Sequence, residues 1–218
     1  MPGPIEGVIV DFGGVLAQHP SAEALARLGA AVGLASDGFA EAWRRHRLAY
    51  DLGELPAGDY WRSVGGRTYD SDALEHILTE DAACWSVVDQ AMVGWLRDLA
   101  AAGLRLALLS NMPREVWARL RDGLGWLELC AVVTLSYELR LAKPDPAIFE
   151  RCLGELGLPA ERVLFVDDQP DNIEAARELG LEAVLFTTIE ALRDELGARF
   201  DGALPLPRPL ELDSPRHV

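Results

Sequence analysis

The sequence predicts an α/β fold: a doubly wound, Rossmann-like parallel sheet with a helical subdomain inserted after the first strand. Three observations carry this reading. Five short runs of strand length are almost continuously apolar, helical patterns lie between most of them, and about 70 residues after the first run hold helical patterns but no strand. Continuously apolar runs are how strands buried on both faces of a parallel sheet read. Regular strand–helix alternation leads to such a sheet with right-handed crossovers.

The first strand is expected at 8–10 and runs into Asp11 in Val-Ile-Val-Asp-Phe-Gly-Gly-Val-Leu. Helical patterns at 21–31, 39–50, 57–64 and 72–78 follow, punctuated by Gly33, Gly38, Gly53, Pro56, Gly65 and Gly66, which act as stop signals. Alternation then sets in. Helices are expected at 87–102, 114–121, 147–156, 172–179 and 189–199, with strands at 104–109, 131–135, 163–166 and 183–186. The division that results is a core of residues 1–17 and 86–201, a helical cap of 18–85, and a proline-rich tail of 202–218 that is extended or disordered. An insert after the first strand lies over the carboxyl ends of the strands, where open α/β sheets bind ligands.

Composition sets limits on partners. The chain has 218 residues and a formal net charge of −15, with a sequence pI near 4.6, so nucleic acid and anionic membranes would repel it. Of its 20 basic residues only Lys143 is lysine. An anionic substrate would therefore need a local source of positive charge, and a metal ion is the obvious one. Cys84, Cys130 and Cys152 show no paired spacing and read as reduced, buried side chains. No signal-peptide pattern opens the chain, and no apolar stretch approaches the roughly 20 residues of a membrane span. The expectation is a soluble cytoplasmic protein, monomer or homodimer.

Four features stand at or near predicted strand ends: Asp11, Ser110-Asn111, Lys143 in Leu-Ala-Lys-Pro-Asp-Pro, and Asp167-Asp168. A parallel sheet brings strand ends to one edge, and an acid that ends a buried strand is costly without a partner or a metal. Singly, each has an ordinary reading. Asp11 could cap a helix, Lys143 could be a solvated charge, Ser110-Asn111 could be a turn, and Asp171 or Asn172 is expected to cap the following helix. Gly13-Gly14 lacks the three-glycine spacing of a dinucleotide fingerprint.

Taken in order, Asp11-Phe12-Gly13-Gly14-Val15-Leu16, Ser110-Asn111, Lys143-Pro144-Asp145-Pro146 and Asp167-Asp168-Gln169-Pro170-Asp171-Asn172 resemble the haloacid dehalogenase-like (HAD) hydrolase superfamily up to about Arg199. The resemblance is closest to the helical-cap branch, with its sugar-phosphate phosphatases, epoxide hydrolase phosphatase domains and 2-haloacid dehalogenases. It implies a Mg²⁺-dependent phosphatase of small phosphorylated metabolites, with Asp11 forming an aspartyl-phosphate. By the same resemblance Asp11, the Gly13 carbonyl and Asp168 hold the metal, while Asp167 and Asn172 stand behind them. Lys143, Ser110, Asn111, Gly13 and Gly14 surround the phosphoryl group.

One position departs from the pattern. Phosphatases of the superfamily usually carry an acid/base aspartate two residues after the nucleophile, where this chain has Gly13. General acid–base help is worth about 10²–10⁴-fold. Four explanations are open: an acidic leaving group, another proton donor such as His19 or a cap residue, dehalogenation, or a phospho-ligand sensor without turnover. The paired Asp167-Asp168 favours metal-dependent phosphoryl chemistry over metal-independent 2-haloacid dehalogenation. In the cap, Trp43, Arg47 and Tyr50 share a helix face. Trp43, Tyr50 and Trp61 are expected to pack the cap core while the arginines face water, and His76 is read as a surface or packing residue.

Overall fold

The computed structural model describes residues 4–34 and 36–209. Its centre is a five-stranded sheet in the order β3-β2-β1-β4-β5, with β1 (Gly7–Val10), β2 (Arg105–Ser110), β3 (Cys130–Leu135), β4 (Val163–Asp167) and β5 (Glu182–Leu185). Every pairing is parallel, Val8 lying between Leu106 and Leu164 and Val10 between Leu108 and Val166. Side chains alternate between the two faces of a strand. Val8, Val10, Leu106, Leu108, Leu164 and Val166 therefore enter one apolar cluster, and Ile9, Ala107, Leu109 and Phe165 the other. Helices cover both faces, as burial of apolar residues on both sides requires.

Between β1 and the core helices lie α1 (Ala22–Val32), α2 (Ser36–Arg45), α3 (Arg47–Asp51), α4 (Ala57–Gly65) and α5 (Ser71–Ala83). These five have their own apolar cluster, centred on Leu28, Phe39, Tyr50, Tyr60, Trp61 and Ile77. Tyr50 and Tyr60 stack at 4.4 Å, and Trp61 meets Tyr60 edge-on at 4.9 Å. The predicted helix at 39–50 is broken at His46, whose backbone (φ −121°, ψ 16°) leaves the helical region. Neither glycine nor proline marks that break in the sequence.

The remaining helices are α6 (Gln90–Ala101), α7 (Arg114–Leu120), α8 (Ser136–Leu139), α9 (Pro146–Leu156), α10 (Pro170–Glu178) and α11 (Ile189–Phe200). Side-chain caps set several starts: Asp89 accepts from Ala91 N and Met92 N, Asp145 from Ala147 N, and Thr188 from Ala191 N. Such caps satisfy amides that have no partner inside the helix. The expectation that Asp171 or Asn172 caps α10 is not met, because Pro170 occupies its first turn and no side chain caps it. Pro suits that place because it has no N–H to satisfy.

Two linkers join the α1–α5 unit to the sheet and pair with each other, Gln18 N to Val87 O and Asp89 N to Leu16 O, both at 2.8 Å. Farther from the linkers, Ser136 Oγ donates to the Asp51 carbonyl at 2.5 Å and accepts from Met112 N at 2.9 Å. Glu75 of α5 pairs with Arg119 of α7 at 2.6 Å. Leu204 and Leu206 pack onto the sheet cluster, and Trp95 Nε1 donates to Pro205 O at 2.7 Å. Residues 202–204 continue the turn after α11, and 205–209 lie outside any helix or strand while contacting this cluster. The rest of the expected tail lies outside the described residues.

Candidate active site

The chain runs from β1 outward to β2 and β3, then returns to place β4 on the other side of β1. At that reversal the loops after the two strands diverge and leave a crevice. Asp11 follows β1 and Asp167 ends β4, so the two acids flank it. Lys143, on the loop before α9, lies between them. Its Nζ is 2.8 Å from Asp11 Oδ1 and 2.6 Å from Asp167 Oδ2, and it donates to Leu109 O at 2.8 Å. Asn111 holds the lysine's backbone from both sides: its Nδ2 donates to Lys143 O and its Oδ1 accepts from Lys143 N, each at 2.9 Å. The Asn111 side chain is a positioning group for Lys143.

Asp11 Oδ1 also accepts from Phe12 N at 2.7 Å, while no hydrogen bond reaches Oδ2 among the described residues. Burial pushes the Asp11 carboxyl up to about 7, against the pull of Lys143 and with a further push from Asp167. For Lys143, burial acts downward but is outweighed by Asp11 and Asp167, so its pKa stands above the ordinary lysine value. Asp168 is raised by burial and then by Asp167.

Asp11, Asp167 and Asp168 each present an atom within 4.8 Å of the others. Three carboxyl groups therefore crowd one ammonium, and a divalent cation would offset the repulsion among them. An all-oxygen set suits Mg²⁺. Asp167 is the least available of the three. Its Oδ2 meets Lys143, and its Oδ1 accepts from Gln169 N at 2.8 Å and Asn172 Nδ2 at 2.9 Å. Asn172 therefore restrains Asp167 from the first turn of α10.

Asp168 Oδ2 lies 3.1 Å from His19 Nε2 and accepts from Gln169 Nε2 at 2.6 Å. Gly14 does not line the cavity; it lies against this carboxylate in a left-handed turn (φ +79°). A Cβ on Gly14 would stand 2.6 Å from Asp168 Oδ2 and 2.9 Å from His19 Cε1. Only glycine fits so close an approach at that φ.

Above the acids opens a cavity of about 450 Å³, within the ordinary range for small-molecule sites. Asp11, Gly13, Ser110, Asn111 and Asp168 contribute to its floor, and Phe12, Trp43, Trp85, Met112 and Val116 give it apolar walls. His19, Arg44, Arg47 and Asp51 also line it. Tyr50 and Trp61 are buried in the α1–α5 cluster, and Arg44 and Arg45 are exposed. Arg47 departs from the expectation that it faces water. It is 18% exposed, pairs with Asp51 at 2.9 Å and Asp81 at 3.1 Å, and lies over the rings of Trp43 and Tyr50 at 5.3 and 5.6 Å. Trp85, on the same lining, sits in a connecting turn without periodicity and so carries no signal in the sequence.

A family model described as haloacid dehalogenase-like hydrolase matches residues 5–180. The chain belongs to the haloacid dehalogenase-like hydrolase family. Among its relatives, a phosphoglycolate phosphatase from Rhodospirillum rubrum is 32% identical over 114 residues, 52% of this chain and 47% of that protein. The match thus spans about half the length of that relative. An HAD family enzyme from Bacteroides thetaiotaomicron, solved as an aspartate-to-alanine variant with magnesium and inorganic phosphate, superposes with a TM-score of 0.66 at 21% identity, over 84% of this chain and 94% of that one. An L-2-haloacid dehalogenase from Xanthobacter autotrophicus with chloropropionic acid covalently bound gives 0.64 at 20% identity, over 93% and 85%. The family's fold is shared with both structures.

Proposed function

We propose that this hydrolase is a Mg²⁺-dependent phosphatase of small phosphorylated metabolites that works through a covalent intermediate on Asp11. The observation that carries the reading is the acidic centre at the crevice: Asp11, Asp167 and Asp168 around the one lysine of the chain. The phosphoglycolate phosphatase relative and the magnesium and phosphate complex of the Bacteroides enzyme support the same chemistry. Asp11, the Gly13 carbonyl and Asp168 would hold the ion, which when bound neutralises phosphate charge beside the nucleophile.

The chain's own residues divide the remaining work. Lys143 and the Phe12 amide hold Asp11 Oδ1, which leaves Oδ2 as the attacking oxygen. Ser110, at the end of β2, hydrogen-bonds a phosphoryl oxygen, and the Asn111 amide meets another. Donors fixed in advance cost no reorganisation as charge moves. Residues 18–85 act as a cap whose opening admits substrate and whose closure excludes water.

Hydrolysis of an aryl phosphate tests the reading. Phosphate release is expected with Mg²⁺, with loss on chelation and in Asp11→Asn. Inactivity across a broad panel of phosphate esters, or metal-indifferent halide release from a 2-haloacid, would overturn it. Ligand-dependent stabilisation without turnover would point to a sensor instead.

A further inference from the structure

Gly13 and Trp85 together say what kind of ester the cavity takes. Gly13 lies two residues beyond Asp11, and a Cβ built on it would stand 3.0, 3.4 and 3.6 Å from Cζ3, Cε3 and Cη2 of Trp85. The indole's six-membered ring thus covers the place from which a side chain at 13 would project. An indole is a donor but no acid. The other carboxylates lining the cavity are committed, Asp51 to Arg47 and Asp168 to His19 and Gln169, and the lining imidazole of His19 is itself paired with Asp168 at 3.1 Å. A second indole extends the same wall: Trp43 and Trp85 have ring centroids 6.3 Å apart, tilted by 32°.

We propose that the site selects phosphate monoesters with an acidic leaving oxygen on a flat apolar body, aryl phosphates in preference to alkyl phosphates. Trp85 fills the place from which an acid at 13 would serve the leaving group and offers its indole to the aryl body. The inference rests on the phosphatase reading and narrows its substrate class. As the bond from Asp11 Oδ2 to phosphorus forms, the ester P–O bond breaks and its electron pair stays on the leaving oxygen, which takes its proton from water. Water then attacks the aspartyl-phosphate and releases phosphate and free Asp11. A phenol ionises near ~10, as tyrosine does, so its oxyanion leaves without help. An alkoxide is far more basic and does not. Flat rings also gain from offset or edge-on contact with indole faces.

The test is a leaving-group series with Mg²⁺: substituted phenyl phosphates against benzyl and cyclohexylmethyl phosphates of similar size. Wild type is expected to show kcat/KM falling by about 10²-fold or more from phenyl to benzyl phosphate, the scale of missing general-acid help. Trp85→Ala should raise KM for the aryl esters with kcat little changed. Gly13→Asp in the Trp85→Ala background, where the crowding is relieved, should raise alkyl turnover by about 10²-fold over Trp85→Ala alone and flatten the series. Equal kcat/KM for aryl and alkyl esters in wild type would overturn the inference while leaving the phosphatase reading intact. So would a double variant whose series keeps its slope. No turnover of any ester would instead count against the phosphatase reading itself.

Discussion

Lys143 is the residue on which the electrostatics of the centre turn. Its ammonium faces Asp11, Asp167 and the Leu109 carbonyl, and little of it reaches solvent. Lys143→Met would leave two buried carboxylates facing each other, and breaking a buried pair from one side costs about 3–5 kcal/mol. Urea unfolding near neutral pH should report that loss together with loss of activity. Lys143→Arg should not restore function, since a planar fork does not reproduce a compact point charge between two carboxylates. Asp11→Asn differs in kind. It removes the proposed nucleophile while keeping an acceptor for Lys143, so turnover should fall by on the order of 10⁴-fold or more with the folded state retained by circular dichroism.

At the level of elements, α3 and α5 carry a charge imbalance of their own. Arg47 answers two carboxylates, Asp51 and Asp81, and all three are largely withdrawn from water. Burial pushes Asp51 up to about 6, against the pull of Arg47 and with a smaller push from Asp81. A carboxyl raised in the fold binds its proton more tightly there than in the unfolded chain. Its stabilising contribution is therefore complete below the unfolded value near 3.8 and is lost as pH rises through about 6, a span that corresponds to about 3 kcal/mol. Asp51→Asn keeps an acceptor for Arg47 and removes the titration. Between pH 4 and 7 wild type should lose stability relative to this variant, and parallel profiles would contradict the assignment. Ser136 ties the same region to the sheet through Asp51 O and Met112 N. Ser136→Ala leaves both backbone groups without that partner and should cost about 1–3 kcal/mol in thermal or urea unfolding.

Across the whole molecule, what could be read from the sequence follows a physical division. Short, nearly continuous apolar runs advertise themselves, so β1 to β5 fall within a residue or two of their expected places. Acids at strand ends are legible for the same reason: 8–10 and 163–166 read as buried strands, and an acid directly after each needs a partner. Long-range partners leave no local mark. Nothing in the sequence near Arg47 announces Asp81, 34 residues away. Trp85 belongs to no periodic segment, and Trp95 finds its acceptor at Pro205, 110 residues on. The net charge of −15 and the centre of the site also act on different scales. Surface acidity is screened within about 8–10 Å at ordinary ionic strength, so an anion entering the cavity would meet the local field of Lys143 and its acids.

The central claim is that Asp11 is a nucleophile toward phosphorus, and acid-quenched intact mass spectrometry tests it directly. Protein mixed with an aryl phosphate and Mg²⁺ for milliseconds to seconds should gain about 80 Da, the mass of a phosphoryl group in a covalent intermediate. Peptide mapping should place the adduct on Asp11, and neither Asp11→Asn nor a chelated sample should carry it. An adduct on another residue, or phosphate release retained in Asp11→Asn, would contradict the account.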